Sequence, residues 1–231
     1  MNSLAILGGT FDPIHIGHLR SAIEVRELLD CDELRFIPSH QPPHRAAPTA
    51  DSKHRLRMVE LAVANEPGLA VDAREINREG ASYTIDTLTE LRAEIGAACA
   101  LHLIIGMDAF AELDTWRRWD ELLDFANLVV MQRPDCELPQ RGAIADLLRA
   151  RHTKLSNVKR KPHGAIAIVQ LTPLPISATA IRALISERRS PRYLVPDVVC
   201  DFIREQRLYG FLPSPAGRGT KTTAQERLFS T

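Results

Sequence analysis

The segment that most constrains the fold of this chain runs from Gly8 to His18 and reads Gly-Gly-Thr-Phe-Asp-Pro-Ile-His-Ile-Gly-His. It follows a short apolar run, residues 4–7, and leads into a helical pattern. The two glycines let consecutive backbone N–H groups approach anionic oxygens, and a helix that begins here adds the positive end of its dipole. The segment therefore predicts a strand, a tight turn and a helix N-terminus that together bind phosphate.

Two histidines set this segment apart from the commoner phosphate loops. His15 and His18 are three residues apart, so on a helix they share one face and meet the same ligand, with Gly17 leaving room for it. The Walker ending Gly-Lys-Ser/Thr and the fingerprint Gly-x-Gly-x-x-Gly do not occur in the segment. A single helical histidine is usually structural, whereas a pair beside a double glycine indicates imidazoles that face a phosphate chain.

The amino-acid composition limits the class of protein to which this chain can belong and the kinds of partner it can bind. The 231 residues are 45% hydrophobic and 25% charged, which is enough to bury the core of one compact domain. The formal net charge is zero, so no overall field favours nucleic acid or an anionic membrane. The expected partners are small molecules, and the sequence does not decide whether the chain forms a homo-oligomer. Four scattered cysteines without a Cys-x-x-Cys pair argue against a zinc site and predict a cytoplasmic protein: Cys31, Cys99, Cys136 and Cys200.

Apolar runs alternate with amphipathic segments along the chain. Strands are predicted at residues 4–7, 34–37, 69–72, 101–105, 128–131 and 165–171. Most of these runs do not alternate with polar residues, which is typical of strands buried on both faces of a parallel sheet. Helices are predicted from Leu19 to Leu29, after a cap at Asp51, and from Thr84 onward. This order predicts a doubly wound α/β sheet, whose ligands bind at the carboxyl ends of the strands.

Polar groups follow two other predicted strands. After the second strand, prolines stiffen a loop in which His44 and Arg45 can reach anionic oxygens, although such loops are common. After the fourth strand, Gly106 and Asp108 suit close backbone approach and a ribose hydroxyl, and Asp108 could equally cap a helix. Trp116 lies shortly beyond and is either a core residue or a stacking platform for a flat ring.

The last predicted strand is followed by a hydroxyl-rich helix start. Ser177 and Thr179 can cap this helix, and the same hydroxyls can hold phosphate. Arg182 lies one turn further on, where its guanidinium would neutralise the charge that develops on a leaving group.

Together these motifs resemble the bacterial nicotinate-nucleotide adenylyltransferases over about residues 1–212. The first and last motifs alone indicate only the wider HxGH nucleotidyltransferase superfamily, which includes phosphopantetheine adenylyltransferases and cytidylyltransferases. The Ser82-Tyr83-Thr84 and Trp116 segments point to the pyridine-nucleotide member. The resemblance rests on the segment 8–18, Pro-Pro-His-Arg at 42–45, Arg74-Glu75-Ile76, Ser82-Tyr83-Thr84, Ile105-Gly106-Met107-Asp108, Trp116 and the segment 176–182.

The resemblance implies a Rossmann-like sheet with helices on both faces and a small C-terminal helical extension. It implies transfer of AMP from ATP to nicotinate mononucleotide, giving deamido-NAD and pyrophosphate without a covalent enzyme intermediate. Mg²⁺ would be held mainly by the ATP phosphates. The catalytic residues implied are His15, His18 and Arg182. The implied ATP-binding residues are Gly8, Gly9, Thr10, Phe11, His44, Arg45, Gly106, Asp108, Ser177 and Thr179. Nicotinate mononucleotide would contact Thr84, Trp116 and Asp108.

Two other functions would keep the histidine motif. A transferase for another phosphorylated acceptor, such as phosphopantetheine, has no use for a Trp116 pocket. A non-catalytic nucleotide sensor would bind ATP without releasing pyrophosphate. Within the domain 1–212, residues 134–164 contain prolines and the basic cluster Lys159-Arg160-Lys161, and a solvated surface insertion is expected there. The tail 213–231 has little apolar content and is expected to be disordered.

Deletion of residues 213–231 tests the interpretation of the tail. Because these residues lack the apolar side chains needed to dock on a sheet, the shortened chain should keep the melting temperature and turnover of the full chain. The measurement is thermal unfolding and turnover of both proteins side by side. A large fall in melting temperature would show that the tail packs on the domain.

Overall fold

The computed structural model describes residues 2–41, 47–132 and 137–211. In this part of the chain six strands form one parallel sheet: β1 (Ser3–Gly9), β2 (Glu33–Pro38), β3 (Leu69–Val71), β4 (Ala100–Gly106), β5 (Asn127–Gln132) and β6 (Ile166–Gln170). The strand order is β3-β2-β1-β4-β5-β6, so its direction reverses between β1 and β4. The six predicted strands and the doubly wound, Rossmann-like sheet are confirmed.

Helices connect the strands in the described residues: α1 (Ile16–Leu29), α2 (Ser52–Val63), α3 (Arg74–Asn77), α4 (Thr84–Ile95), α5 (Met107–Ala111), α6 (Leu122–Phe125), α7 (Ala143–Arg151), α8 (Leu155–Val158), α9 (Ala178–Ser186) and α10 (Asp197–Glu205). Short 3-10 turns lie at Leu113–Thr115, Trp119–Glu121 and Leu208–Gly210. The predicted cap of α2 is confirmed, because the Asp51 carboxylate accepts a hydrogen bond from the His54 N–H at 2.8 Å. None of the helices in the described ranges is long and apolar enough to cross a membrane.

The sheet separates two apolar layers because neighbouring residues of a strand point to opposite faces. Along β1, Ala5 and Leu7 face one layer while Leu4 and Ile6 face the other. The first layer, called layer A here, takes buried residues from α1, α2, α9 and α10. The second, layer B, takes them from α4, α5, α6 and α7. The C-terminal helix α10 is therefore part of the domain core rather than a loose extension.

The described part of the segment 134–164 is largely exposed and packs one apolar face on the domain, while the surface insertion expected there stays a prediction. Its helices α7 and α8 belong to the crossover between β5 and β6, and their apolar faces are covered. Ile144 and Leu148 join layer B, and Val158 joins layer A. Periodic apolar positions account for the packed face of these helices. The basic residues Arg160 and Lys161 themselves are exposed, as expected.

A buried histidine lies in the central strand β4. The His102 side chain is completely buried, and its Nδ1 lies 3.5 Å from the side-chain nitrogen of Asn127. That nitrogen also donates to the Lys161 carbonyl at 2.7 Å, and the Asn127 oxygen accepts from the Ala165 N–H at 3.0 Å. Burial lowers the pKa of His102 from 6.5 to about 4, so the ring is neutral in the folded protein near neutral pH.

The lowered pKa of His102 predicts a loss of stability in mild acid. The unfolded chain binds a proton at His102 below about pH 6.5, while the folded chain resists protonation until about pH 4. Between about pH 7.5 and pH 5 this difference should remove about 2 kcal/mol from the free energy of unfolding. The variant His102→Asn keeps a polar neighbour for Asn127 and should lack this component. Urea unfolding of both proteins at the two pH values measures it, and equal losses in both would contradict the assignment.

Candidate active site

The double glycine lies at the carboxyl end of β1, where the sheet order reverses. Gly8 is exposed, and a Cβ built on it would meet no atom within 4 Å, so a ligand has direct access to this backbone. Gly9 is required by the protein itself, since a Cβ there would come within 2.9 Å of the Phe11 ring. Phe11 has φ of 50°, and its side chain is buried. Phe11 can therefore offer a phosphate its backbone N–H but not its ring.

The two histidines are brought together at the start of α1. His15 is the N-cap residue with extended backbone, and its Nδ1 accepts the His18 N–H at 3.3 Å. The two imidazole rings stack with centroids 3.6 Å apart, and the edge of Phe11 meets His18 at 5.2 Å. Gly17 makes room for this arrangement rather than for a ligand, because a Cβ there would lie 3.1 Å from the His15 ring.

The start of α9 joins the same cluster. Ser177 caps the helix by accepting the Ala180 N–H at 3.2 Å, which confirms the predicted cap. Arg182 donates to the carbonyl of Asp12 at 2.7 Å, and its other terminal nitrogen lies 3.4 Å from the Thr179 hydroxyl. Ser177 and Thr179 are exposed, and a Cβ on Gly17 would lie 3.6 Å from the side chain of Ile176, the residue before Ser177. We call Gly8, Gly9, Thr10, Phe11, His15, His18, Ser177, Thr179 and Arg182 the phosphate cluster.

Arg55, which no sequence motif singled out, binds the loop of the phosphate cluster from the protein interior. The side chain of Arg55, in α2, is completely buried and donates to three carbonyls: Thr10 at 2.7 Å, His40 at 3.2 Å and Ala50 at 3.2 Å. Burial lowers the pKa of Arg55, and the nearby carboxylate of Asp12 opposes that shift. A buried guanidinium needs such partners, so it fixes the loop after β1 to the loop after β2.

Gly106 and Asp108 lie at the carboxyl end of β4, the strand next to β1. Because the sheet register pairs Leu7 with Ile104, Gly106 lies beside the double glycine. Gly106 is the N-cap of α5, and Asp108 is an exposed residue in the first turn of that helix. Asp108 is therefore not the helix cap, and its carboxylate stands at the same edge of the sheet as the phosphate cluster.

Thr84 and Trp116 lie on neighbouring segments of layer B. Thr84 is the first residue of α4, and Ser82 just before it accepts the His40 N–H at 2.9 Å and donates its own N–H to the Gln41 carbonyl at 3.1 Å. Trp116 is partly buried against layer B. The next residue, Arg117, stacks over the Tyr83 ring at 4.7 Å. We call Thr84, Trp116 and Asp108, which are predicted to contact the acceptor, the acceptor cluster.

Glu75 anchors α4 in this position. Its carboxylate is buried and accepts the Thr87 hydroxyl at 2.7 Å, one turn into α4. Burial raises the pKa of Glu75, while the hydrogen bonds from Thr87 and Ser82 lower it. The acidic residue of the Arg74-Glu75-Ile76 motif thus positions the helix that begins at Thr84.

The predicted site residues His44 and Arg45 lie outside the described residues. Of the others, His15 and His18 are in contact, Arg182 binds the loop after β1, and Gly106 ends the neighbouring strand β4. Within the described ranges, no group of three or more His, Cys, Asp or Glu side chains is arranged to hold a metal ion.

Known proteins resemble this chain in sequence and in fold. The family model described as Cytidylyltransferase-like matches residues 6–184. A relative from Pseudomonas paraeruginosa, named "Probable nicotinate-nucleotide adenylyltransferase", is 49% identical over 206 residues, 89% of this chain and 96% of the relative. A relative of the same name from Pseudomonas fluorescens is also 49% identical, with the same coverage. The nicotinic acid mononucleotide adenylyltransferase of Plasmodium falciparum complexed with NaAD has a TM-score of 0.69 at 15% identity, over 92% of this chain and 99% of that one, and shares the fold.

The resemblance drawn from the motifs is thereby confirmed along most of the chain. With a family model over residues 6–184 and relatives 49% identical over 89% of its length, this chain belongs to the cytidylyltransferase-like family and, within it, to the nicotinate-nucleotide adenylyltransferases.

Proposed function

We propose that this chain transfers AMP from ATP to nicotinate mononucleotide, forming deamido-NAD and pyrophosphate on the route to NAD. The observation that carries the proposal is the 49% identity over 206 residues with a relative named for this activity. The clustering of His15, His18 and Arg182 at the carboxyl end of β1 supports it, because these side chains suit a phosphate chain rather than a covalent nucleophile.

The chemistry needs no general base. A phosphate oxygen of nicotinate mononucleotide, already ionised at neutral pH, attacks the α-phosphorus of ATP in line. The bond from the α-phosphorus to the bridging oxygen of the β-phosphate breaks, and pyrophosphate leaves with the electron pair. Catalysis then consists of positioning and charge stabilisation, as in phosphoryl transfer generally.

The phosphate cluster supplies both the positioning and the charge stabilisation. The backbone at Gly8, Gly9, Thr10 and Phe11 donates N–H groups to the ATP phosphates, and His15 and His18 donate from their stacked rings. Stacking orients the imidazoles before the substrate arrives, so little reorganisation is needed in the transition state. Ser177, Thr179 and Arg182 then stabilise the departing pyrophosphate. His44 and Arg45 belong to this proposal from the sequence motif alone.

The acceptor cluster would set the substrate choice. In this proposal Gly106 and Asp108 hold nucleotide sugars, Thr84 contributes to the nicotinate pocket at the N-terminus of α4, and Trp116 gives the pyridine ring an apolar face. The amide N–H groups at a helix start suit the carboxylate of nicotinate.

Nucleotidyltransferases generally use a divalent metal ion with ATP, and we propose Mg²⁺ here. This ion keeps its waters readily, so ATP phosphate oxygens and water would be its main ligands. The proposed partners are ATP and nicotinate mononucleotide. A cytoplasmic location is proposed from the scattered cysteine pattern.

The assay that tests the function uses purified chain, Mg²⁺-ATP and one acceptor at a time, with pyrophosphate release as the readout. Release should require nicotinate mononucleotide. Turnover with phosphopantetheine instead would favour the other acceptor class. ATP binding without pyrophosphate release from any acceptor would favour the sensor.

Replacement of His18 by Ala should lower kcat by about a hundred- to a thousandfold, because it removes a donor that acts mainly in the transition state. The control is His152→Ala, which alters an exposed histidine at the end of α7. Steady-state kinetics and thermal unfolding of the wild type and both variants provide the comparison. A kcat close to wild type would remove His18 from the mechanism.

Acceptor choice gives a second kinetic prediction. Nicotinamide mononucleotide presents an NH₂ donor where nicotinate has a carboxylate, so donors of the pocket would face another donor. The resulting mismatch should reduce kcat/KM for the amide tens- to hundreds-fold or more. Trp116→Ala should weaken both acceptors without reversing their order, since stacking is worth roughly 1 kcal/mol for either ring.

The matched control is Trp119→Ala, because both tryptophans are partly buried against layer B. This variant should leave the acceptor KM values near those of the wild type. Equal use of acid and amide by the wild type would contradict an acid-selective pocket and indicate a dual-specificity enzyme.

A further inference from the structure

The loop of the phosphate cluster contains a buried carboxylate with four polar neighbours. Asp12 is 5% exposed, and its Oδ2 accepts the Thr49 N–H at 2.7 Å. Its Oδ1 accepts the Ala50 N–H at 3.1 Å and the hydroxyl of Tyr209 at 2.8 Å. The guanidinium of Arg182 lies 3.8 Å from Oδ2 while it donates to the carbonyl of the same residue. Asp12 thus connects the loop after β1 to the arginine of the leaving-group side.

Tyr209 reaches this carboxylate from the other end of the chain, 197 residues away. It lies in the 3-10 turn Leu208–Gly210, has φ of 58° and packs against layer A. Left-handed backbone at a residue other than glycine is uncommon and is retained where the surroundings hold it. Burial and the Asp12 carboxylate raise the pKa of the Tyr209 hydroxyl, so it stays protonated and donates throughout the working pH range.

The turn that carries Tyr209 is itself firmly placed. It contacts α9, which holds Arg182, and α10, which packs against α2. The ring of Phe202 in α10 lies 5.9 Å from His54 in α2, and the next residue of α2 is the buried Arg55 that binds the Thr10 carbonyl. The loop after β1 is therefore held by Arg55 through the Thr10 carbonyl and by Tyr209 through the Asp12 carboxylate.

We propose that Tyr209 is a positioning residue for ATP: its hydroxyl holds the Asp12 carboxylate, and thereby fixes both the loop 10–12 and the guanidinium of Arg182. This inference rests on the proposed adenylyl transfer. Asp12 carries one negative charge that is shared among backbone N–H groups, the Tyr209 hydroxyl and Arg182. Removing the hydroxyl leaves Oδ1 with one donor fewer, and the nearest cation able to compensate is Arg182.

A shift of Arg182 toward the carboxylate has a defined consequence for the reaction. The guanidinium would leave the position from which it meets the pyrophosphate side of ATP. A displacement of about 1 Å in a positioned group is enough to slow a reaction substantially. The acceptor cluster is built on layer B and has no part in this network, so its affinity should not change.

The test compares Tyr209→Phe with the wild type. ATP affinity, measured by calorimetric titration without acceptor, should weaken about tenfold, and kcat should fall about tenfold with the KM for nicotinate mononucleotide unchanged. The control is Tyr193→Phe, which removes the hydroxyl of another tyrosine with positive φ, one that is 83% exposed. That variant should match the wild type.

The variant Asp12→Asn changes the acceptor of the hydrogen bond from Tyr209. In this background Tyr209→Phe should change ATP affinity by less than about twofold, because the hydroxyl no longer meets a carboxylate. ATP affinity is compared per folded molecule in the wild type, both single variants and the double variant, so poor folding of Tyr209→Phe does not change the comparison.

Two results would overturn the inference. One is ATP affinity of Tyr209→Phe within about twofold of the wild type, as for the Tyr193 control. The other is a lower kcat explained by lost folded protein, with ATP affinity unchanged. An inactive wild type that still binds ATP would instead refute the proposed function and leave the binding comparison intact.

Discussion

Two buried charges behind the loop after β1 are the constraint on which the site depends. The Arg55 guanidinium and the Asp12 carboxylate both lie below the surface, where an uncompensated charge is strongly destabilising. Each is satisfied largely by backbone: Arg55 by the carbonyls of Thr10, His40 and Ala50, Asp12 by the N–H groups of Thr49 and Ala50. The loop cannot move without leaving a charge unpaired, so its geometry is set before any nucleotide binds.

In the proposed mechanism the nucleophile arrives already ionised, and a rigid loop suits such a reaction. That proposal requires no proton transfer, so the rate would depend on how well donors are aimed at the α-phosphate and the leaving pyrophosphate. The stacked pair of His15 and His18 follows the same principle, because the helix cap and the edge of Phe11 hold the rings. Side chains that never touch substrate can thus matter as much as those that do.

The sequence predicted the parts whose signal is local. Unalternating apolar runs located the six strands of the described residues, and the glycine-histidine segment lies at the end of β1 as the sequence predicts, while its binding of phosphate stays a prediction. The supporting residues carry no such signal. Arg55 lies in a helix where an arginine is normally exposed, and Tyr209 is far along the chain from Asp12, so only the folded chain places them together. The surface insertion expected at residues 134–164 stays a prediction, and Ile144 and Leu148 of α7 pack in layer B.

The two clusters are carried by different layers of the domain. The helices of the phosphate cluster, α1 and α9, bury their apolar sides in layer A, whereas Thr84 and Trp116 belong to elements packed on layer B. The sheet joins them where β1 and β4 are neighbours, and the loop after β2 joins them as well, because His40 accepts from Arg55 and donates its N–H to Ser82. Under the proposed function, the residues that would choose the acceptor pack mainly on layer B and those that would bind phosphate pack mainly on layer A, which gives a physical reason why one phosphate motif can serve nucleotidyltransferases with different acceptors.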